Sequence, residues 1–417
     1  MAIDFTLSED ELALRRQARD FADKVLGGVT DAIAPLGSPL ERFRAIKPFY
    51  QEMVDAGFVK GLIPAEHGGH RFSNVQFALA CEELARVDIN APTAVLGTGL
   101  GVHPIITAGT HEQKERFLTP FVAGGPALGA IAFTEAAGGA NYDHPDPTVG
   151  VRTFAVRDGD EWVLNGRKAY TTNASGWDDR GADLISVVCR VDETRPPAES
   201  LAIIVVEAGT PGVEITDMID TMGHLATNSP VVEFRDVRVP LSNMIGHPGD
   251  GLDLVKAAFS WTCSSIGAAA VGRMRAAFDF AYEFARTEKR SGPHPVIGHQ
   301  NAGYMLADIK TRIEVARYFA WKAAHHFDQT GGLDRELSNM VKVYNSELSV
   351  QVVYDAMRLV GVDSYGDRTP IAGIMQDVLC LPVYDGGNMG VRRRHLHEML
   401  MTPSYDPLAA GENRLSF

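Results

Sequence analysis

Phe154-Ala155-Val156-Arg157-Asp158-Gly159-Asp160-Glu161-Trp162-Val163-Leu164 decides the fold class of this 417-residue chain. Two β-prone runs flank Asp-Gly-Asp, whose residues reach the turn conformations that twisted strands need, so the stretch predicts a hairpin. Leu184–Cys189 and Leu201–Val206 follow as apolar, β-branched runs of strand length, and Val231–Phe234 with Val237–Pro240 close the section. A β unit over 128–241 is therefore expected in the middle of the chain.

Outward from it, both flanks read as helix. Ser8-Glu9-Asp10-Glu11 is a capping box, and Leu14, Ala18, Phe21 and Val25 recur at spacings of four, three and four. Stretches 41–57 and 74–87 repeat the amphipathic pattern, separated by the Pro/Gly turn Ile63–His70. His67 and His70 have only Glu66 nearby, so they read as loop histidines and no metal site is predicted. On the C-terminal side Val255, Phe259, Thr262, Ile266 and Ala269 form one stripe. Met305, Ile309 and Ile313, then Leu337, Val341, Tyr344 and Leu348, mark two more helices. Thr262 places a hydroxyl on this apolar stripe, either bonded to the carbonyl one turn back or to a buried polar partner. The fold class is α+β and mainly α: an N-terminal helical domain over 1–127, a middle β domain over 128–241 and a C-terminal helical domain over 242–417.

The 53 acidic and 39 basic side chains give a net charge of -14, which excludes nucleic acid and anionic membrane as main partners. Four scattered cysteines form no CxxC pair. Met1–Thr6 lacks the pattern of a secretory leader, and the small-residue run Ile266–Gly272 is too short to span a bilayer. A cytoplasmic protein acting on a small-molecule substrate is the expectation.

Near the end, Leu381-Pro382-Val383-Tyr384-Asp385-Gly386-Gly387-Asn388 precedes Arg392-Arg393-Arg394. Asp385 admits two readings. It caps the last helix, or it is a partly buried carboxylate whose raised pKa suits proton abstraction.

Helical, β, helical, in that order and at this length, resembles the acyl-CoA dehydrogenase superfamily of flavoproteins, whose C-terminal domain is a four-helix bundle. Phe133-Thr134-Glu135-Ala136-Ala137-Gly138-Gly139-Ala140 is similar to its flavin-contacting segment, and Lys168-Ala169-Tyr170-Thr171-Thr172-Asn173 to the segment lying along the isoalloxazine. The resemblance implies FAD as cofactor, held by Ile131, Phe133, Thr134, Gly139, Tyr170, Thr172 and Gly387, with Arg290, Gln300 and Gly361 on the diphosphate and adenine side, commonly across a subunit interface. Thr134 and Thr172 are plain strand or turn residues without that context, and Arg290 a solvated cation. A homotetramer is implied as well.

Asp385 falls where the superfamily carries its catalytic carboxylate, usually Glu. Asp there, with Ser175-Gly176-Trp177-Asp178, Val187–Val191 and Gly386-Gly387-Asn388, resembles the nitroalkane oxidase branch. That resemblance makes Asp385 the base, Arg392 its electrostatic neighbour and Thr262 the hydroxyl bonded to it, where the branch has Ser. Phe133 stands where it has His. The implied reaction is FAD-dependent oxidation of nitroalkanes to aldehydes or ketones, with nitrite and hydrogen peroxide released and dioxygen as electron acceptor. The alternatives are an acyl-CoA dehydrogenase or oxidase using the same carboxylate on a thioester, a flavin-dependent N-monooxygenase, and a non-enzymatic helical scaffold. The segment Met222–Ser229 lacks the Arg often found there in acyl-CoA dehydrogenases, which disfavours the first. An N-monooxygenase has no need of a carboxylate base.

Overall fold

The structure, a computed structural model, describes residues 6–136 and 139–417. Ala137 and Gly138 of the flavin-like segment, and Met1–Phe5, lie outside the described residues.

The helices that frame the site are α1 (Glu9–Lys24), α2 (Asn74–Val87), α3 (Asn90–Ala108), α4 (Gly251–Thr287), α5 (Gln300–Thr330), α6 (Glu336–Val360), α7 (Ile371–Cys380) and α8 (Arg393–Leu400), with further helices in the connections. The capping box at Ser8 forms as expected, Ser8 accepting from the Glu11 amide and Glu11 from the Ser8 amide. The amphipathic stretch 41–57 is two helices, Pro39–Ala45 and Lys47–Asp55, because Pro48 has no N–H to continue the first and suits the opening turn of the second.

The middle section is a mixed sheet: β1 (Gly129–Ala132), β2 (Phe154–Asp158), β3 (Glu161–Lys168), β4 (Leu184–Arg190), β5 (Leu201–Glu207), β6 (Val213–Met218), β7 (Pro230–Pro240) and β8 (Met244–Ile245). Its order is β6-β7-β3-β2-β4-β5-β8, with β1 parallel to β4. The Asp-Gly hairpin pairs Phe154 with Asn165 and Asp158 with Glu161. Val231–Phe234 and Val237–Pro240, two runs in the sequence, are one strand, β7. Its irregularity is absorbed at Asp236, which takes φ 50°, and by a register shift opposite Leu164–Gly166. Strand β8 lies past residue 241 and pairs with Ile203 and Ile204.

Helix α4 is the axis of the C-terminal half, packed by α2, α5 and α6. By length and composition it could cross a membrane, but 78% of its most apolar window is buried in the bundle, as a core helix requires. Small residues make that packing close. A Cβ on Gly272 would stand 2.5 Å from the Glu82 carbonyl oxygen, and one on Gly267 2.9 Å from Val341. Helix α6 turns Leu337 and Val341 of its expected stripe inward, together with a polar face that the stripe does not include. Tyr344 is exposed, whereas Asn339, Val341, Lys342, Asn345, Ser346 and Ser349 are buried. The polar members of that face support the candidate site.

Candidate active site

The turn after α7 carries Asp385. Asp385 and Gly386 both adopt left-handed backbone angles, φ 53° and 68°, a conformation that strains a residue with a Cβ and persists only where surrounding bonds hold it. Those bonds come from Arg392. Its Nε and Nη2 donate to the Asp385 carbonyl oxygen at 3.1 and 2.7 Å, and Nη2 also to Asp385 Oδ2 at 3.0 Å and the Phe259 carbonyl at 3.0 Å. Nη1 donates to Asn339 Oδ1 at 3.2 Å. The Arg392 side chain is 1% exposed and that of Asp385 3%. A π-helical turn, Asn388–Arg392, aims the arginine back at the preceding turn.

Asp385 caps no helix. The π turn starts at Gly387 without a side-chain cap, and the carboxylate is engaged elsewhere. Thr262 Oγ1 lies 2.9 and 3.1 Å from its two oxygens and 3.0 Å from the Phe259 carbonyl. Thr262 thus sits within reach of both partners weighed for it. Burial pushes the Asp385 carboxyl above the ordinary carboxylate pKa, while the charges of Arg392 and Lys342 and the Thr262 hydrogen bond pull it back. A buried carboxylate kept ionised by neighbouring cations is equipped to take a proton from carbon.

The flavin-like segment reaches the same place. Phe133 packs edge-on to Tyr142 (ring centroids 5.2 Å apart) and beside Phe259 (5.5 Å), and these three line a small cavity with Gly386, Val391, Arg392 and His395. On the other side Thr134, Lys168, Ala169, Tyr170 and Val231 line a groove of about 490 Å³. A buried pair fixes its floor: Lys168 Nζ donates to the Phe133 carbonyl at 3.0 Å and lies 3.4 Å from Glu135 Oε1. Glu135 also accepts from the amides of Arg152 and Thr153. Tyr170, at φ 54°, stands 58% exposed beside the groove. Thr172 packs towards Gly97 of α3, and the Ala169 amide bonds the Thr134 carbonyl at 2.8 Å, coupling the two flavin-like segments. Ile131 is buried in β1.

The groove fits an isoalloxazine, with apolar wall from Ala136, Ala169 and Val231 and the Thr134 hydroxyl in its lining. Next to Tyr170 of that lining, the Thr171 hydroxyl is buried with no hydrogen-bond partner among the described residues. Gly139 carries no steric requirement for glycine, since a Cβ there meets nothing within 4 Å. Gly387 does, its added Cβ falling 2.9 Å from the Val383 carbonyl oxygen.

Arg290, Gln300 and Gly361 are elsewhere. Arg290 Nη2 donates to the Val360 carbonyl at 3.3 Å and pairs with Asp363, beside the α6 end where Gly361 takes φ 78°. Gln300 bonds Tyr304. Arg290 follows the end of α4, and the helix from Thr262 to Thr287 alone spans about 37 Å. The structure therefore does not bring these three to the Asp385 site of the same chain.

Lys342, Asn339 and His395, whose Nε2 lies 2.8 Å from the Tyr142 hydroxyl, support the site from outside any motif in the sequence. Glu135, Lys168 and Asn388 lie within the segments quoted above, but their supporting role is not legible there. Only the polar character of an inward helix face could have marked Lys342 and Asn339.

The chain belongs to the acyl-CoA dehydrogenase family: the family's N-terminal, middle and C-terminal domains match residues 8–125, 130–237 and 249–401. It is a flavin-dependent oxidoreductase with FAD as cofactor. Among its relatives, a nitroalkane oxidase of Podospora anserina is 36% identical, over 97% of this chain and 98% of that protein. The nitroalkane oxidase of Fusarium oxysporum is 34% identical, over 98% and 97%. A solved nitroalkane oxidase structure, an active-site mutant crystallised with 1-nitrooctane, superposes with a TM-score of 0.93 at 33% identity, covering 99% of this chain and all of that one.

Proposed function

We propose that this enzyme oxidises nitroalkanes to aldehydes or ketones, releasing nitrite and hydrogen peroxide. The observation that carries the reading is the buried Asp385 carboxylate held between the Thr262 hydroxyl and the Arg392 guanidinium, in a chain alike over its whole length to nitroalkane oxidases.

Asp385 takes the proton from the carbon bearing the nitro group. Arg392 keeps the carboxylate ionised beforehand and offsets the charge that moves onto substrate. Thr262 orients the accepting oxygen. Phe133, Phe259 and Val391 wall the cavity beside Arg392 with apolar surface, limiting water at the base and strengthening these electrostatic effects. FAD, when bound, supplies the two-electron acceptor, which dioxygen reoxidises. The overall balance is one nitroalkane, one dioxygen and one water giving one carbonyl compound, one nitrous acid and one hydrogen peroxide.

The reading extends to the assembly. Arg290, Gln300 and Gly361 lie too far along the bundle to hold the FAD that serves Asp385 in their own chain. Tyr304, Tyr318, Tyr354, Val362 and Tyr365 expose apolar surface on and beside α5 and α6. Both features support a homotetramer in which these residues reach a neighbouring subunit's FAD. Four free cysteines, three of them buried, support a cytoplasmic location.

The test is anaerobic mixing of the flavin-loaded protein with nitroethane and, separately, with short- and medium-chain acyl-CoAs, following flavin bleaching and nitrite. Bleaching by the nitroalkane with nitrite release is expected. Bleaching by acyl-CoA alone would replace this reading with thioester dehydrogenation.

A further inference from the structure

Lys342 of α6 is fully buried beneath the turn that presents Asp385. Its ammonium donates to the Leu381 carbonyl at 2.6 Å and to Asn388 Oδ1 at 3.2 Å, and lies 5.7 Å from the centre of the Tyr384 ring. Leu381 and Asn388 are the two ends of the turn, with Asp385 between them. Asn388 is itself fixed: its amide nitrogen donates to the Pro382 carbonyl at 2.9 Å, and Nδ2 to Ser346 Oγ at 3.0 Å and Glu347 Oε1 at 3.1 Å. One cation therefore spans a strained segment whose apex is the carboxylate. A buried ammonium satisfied by a carbonyl and an amide oxygen, with no carboxylate bonded to it among the described residues, keeps its charge free to act on the nearest anion.

We infer that Lys342 is a positioning residue for the base: its buried ammonium ties together both ends of the Asp385 turn and, with Arg392, keeps the carboxylate ionised. The inference rests on Asp385 being the proton-abstracting base. The groups facing Lys342 are Asp385 and Arg392 from the turn and π segment, Cys263 from α4 and Glu347 from α6. Burial lowers the Lys342 pKa to about 8, so the ammonium is mostly charged at neutral pH.

The test compares flavin-loaded wild type, Lys342→Met and Lys342→Arg by two readouts. One is the infrared carboxyl band of protonated Asp385, assigned by its loss in Asp385→Asn. The other is the acid limb of the kcat/KM profile with nitroethane. Lys342→Met is expected to move both upward by about one pH unit, a tenfold loss of kcat/KM below the limb, because an opposite charge is removed. Lys342→Arg keeps both near the wild-type position. If Lys342→Met does not fold, Lys342→Gln, which retains a donor without the charge, carries the same comparison. A band that titrates as in wild type, with activity lost equally at every pH, overturns the inference. Should the wild type not turn over nitroethane, the proposed function fails, and the infrared titration alone decides the role of Lys342.

Discussion

Arg392 grips Asp385 twice, through the carboxylate at 3.0 Å and through the carbonyl of the same residue at 2.7 Å. One planar guanidinium thus holds the reactive group and the left-handed backbone that presents it, while the same Nη2 also reaches the Phe259 carbonyl and Nη1 reaches Asn339. A point-like ammonium has no such fork.

Arg392→Lys should therefore retain the fold and lose function. Kcat/KM is expected to fall about a hundredfold at neutral pH, with the acid limb raised by about one unit as the carboxylate loses its closest cation. A pH profile beside a circular dichroism melt checks this, and an unmoved acid limb would refute the electrostatic role.

Asp385→Asn removes the proton acceptor and little else, since the amide can occupy the same volume. Flavin reduction by a neutral nitroalkane should slow by orders of magnitude, while a pre-formed nitronate, which needs no deprotonation, should still react. Equal loss with both substrates in stopped-flow measurements would show that Asp385 is not the base.

How far the sequence revealed this site follows from what its patterns encode. Asp385 and Thr262 stood out because each breaks an expectation, a carboxylate before paired glycines and a hydroxyl on an apolar stripe, but pattern left two readings for each and the resemblance to the family chose between them. Hydrophobic period marks apolar faces, so it selected Tyr344 on α6, which is exposed, and passed over Lys342, Asn345 and Ser346, which are buried. The helical and β runs showed the order of the units, but β1 and β6 were missed. The four residues of β1 carry no alternation, and β6 alternates only over a polar, half-exposed edge. The linear order of motifs likewise gave no distance, and the rise of α4 is what separates Arg290 from Asp385.

Thr262→Val tests whether the hydroxyl serves the base or only its own helix. Its oxygen reaches the carboxylate at 2.9 Å and the Phe259 carbonyl at 3.0 Å. A hydrogen bond to a charged group contributes about 1.5–3 kcal/mol, so kcat/KM at neutral pH should fall roughly ten- to hundredfold with a raised acid limb. Thr262→Ser should restore both. A helix-only role predicts a changed melting temperature and an unchanged profile.

The scaffold makes its own prediction through Glu83 of α2. Its side chain is buried and bridges helices, 2.8 Å from Arg15 Nε, 2.9 Å from Arg19 Nη2 and 3.1 Å from Arg275 Nη1. Burial alone would raise its pKa, but the hydrogen bonds and charges of Arg19, Arg275 and Arg15 outweigh that and lower it to about 2, against 4.5 for a free glutamate. A carboxyl with a depressed pKa in the folded state binds its proton less readily there than in the unfolded chain. Its stabilisation is therefore fully present above about pH 4.5 and is lost as pH falls towards 2. Glu83→Gln should destabilise the protein at pH 7 by roughly 3 kcal/mol, and the difference from wild type should shrink over that acid window. Denaturant midpoints measured from pH 7 downward check both, and a difference constant with pH would mean that packing, rather than charge, joins α1, α2 and α4.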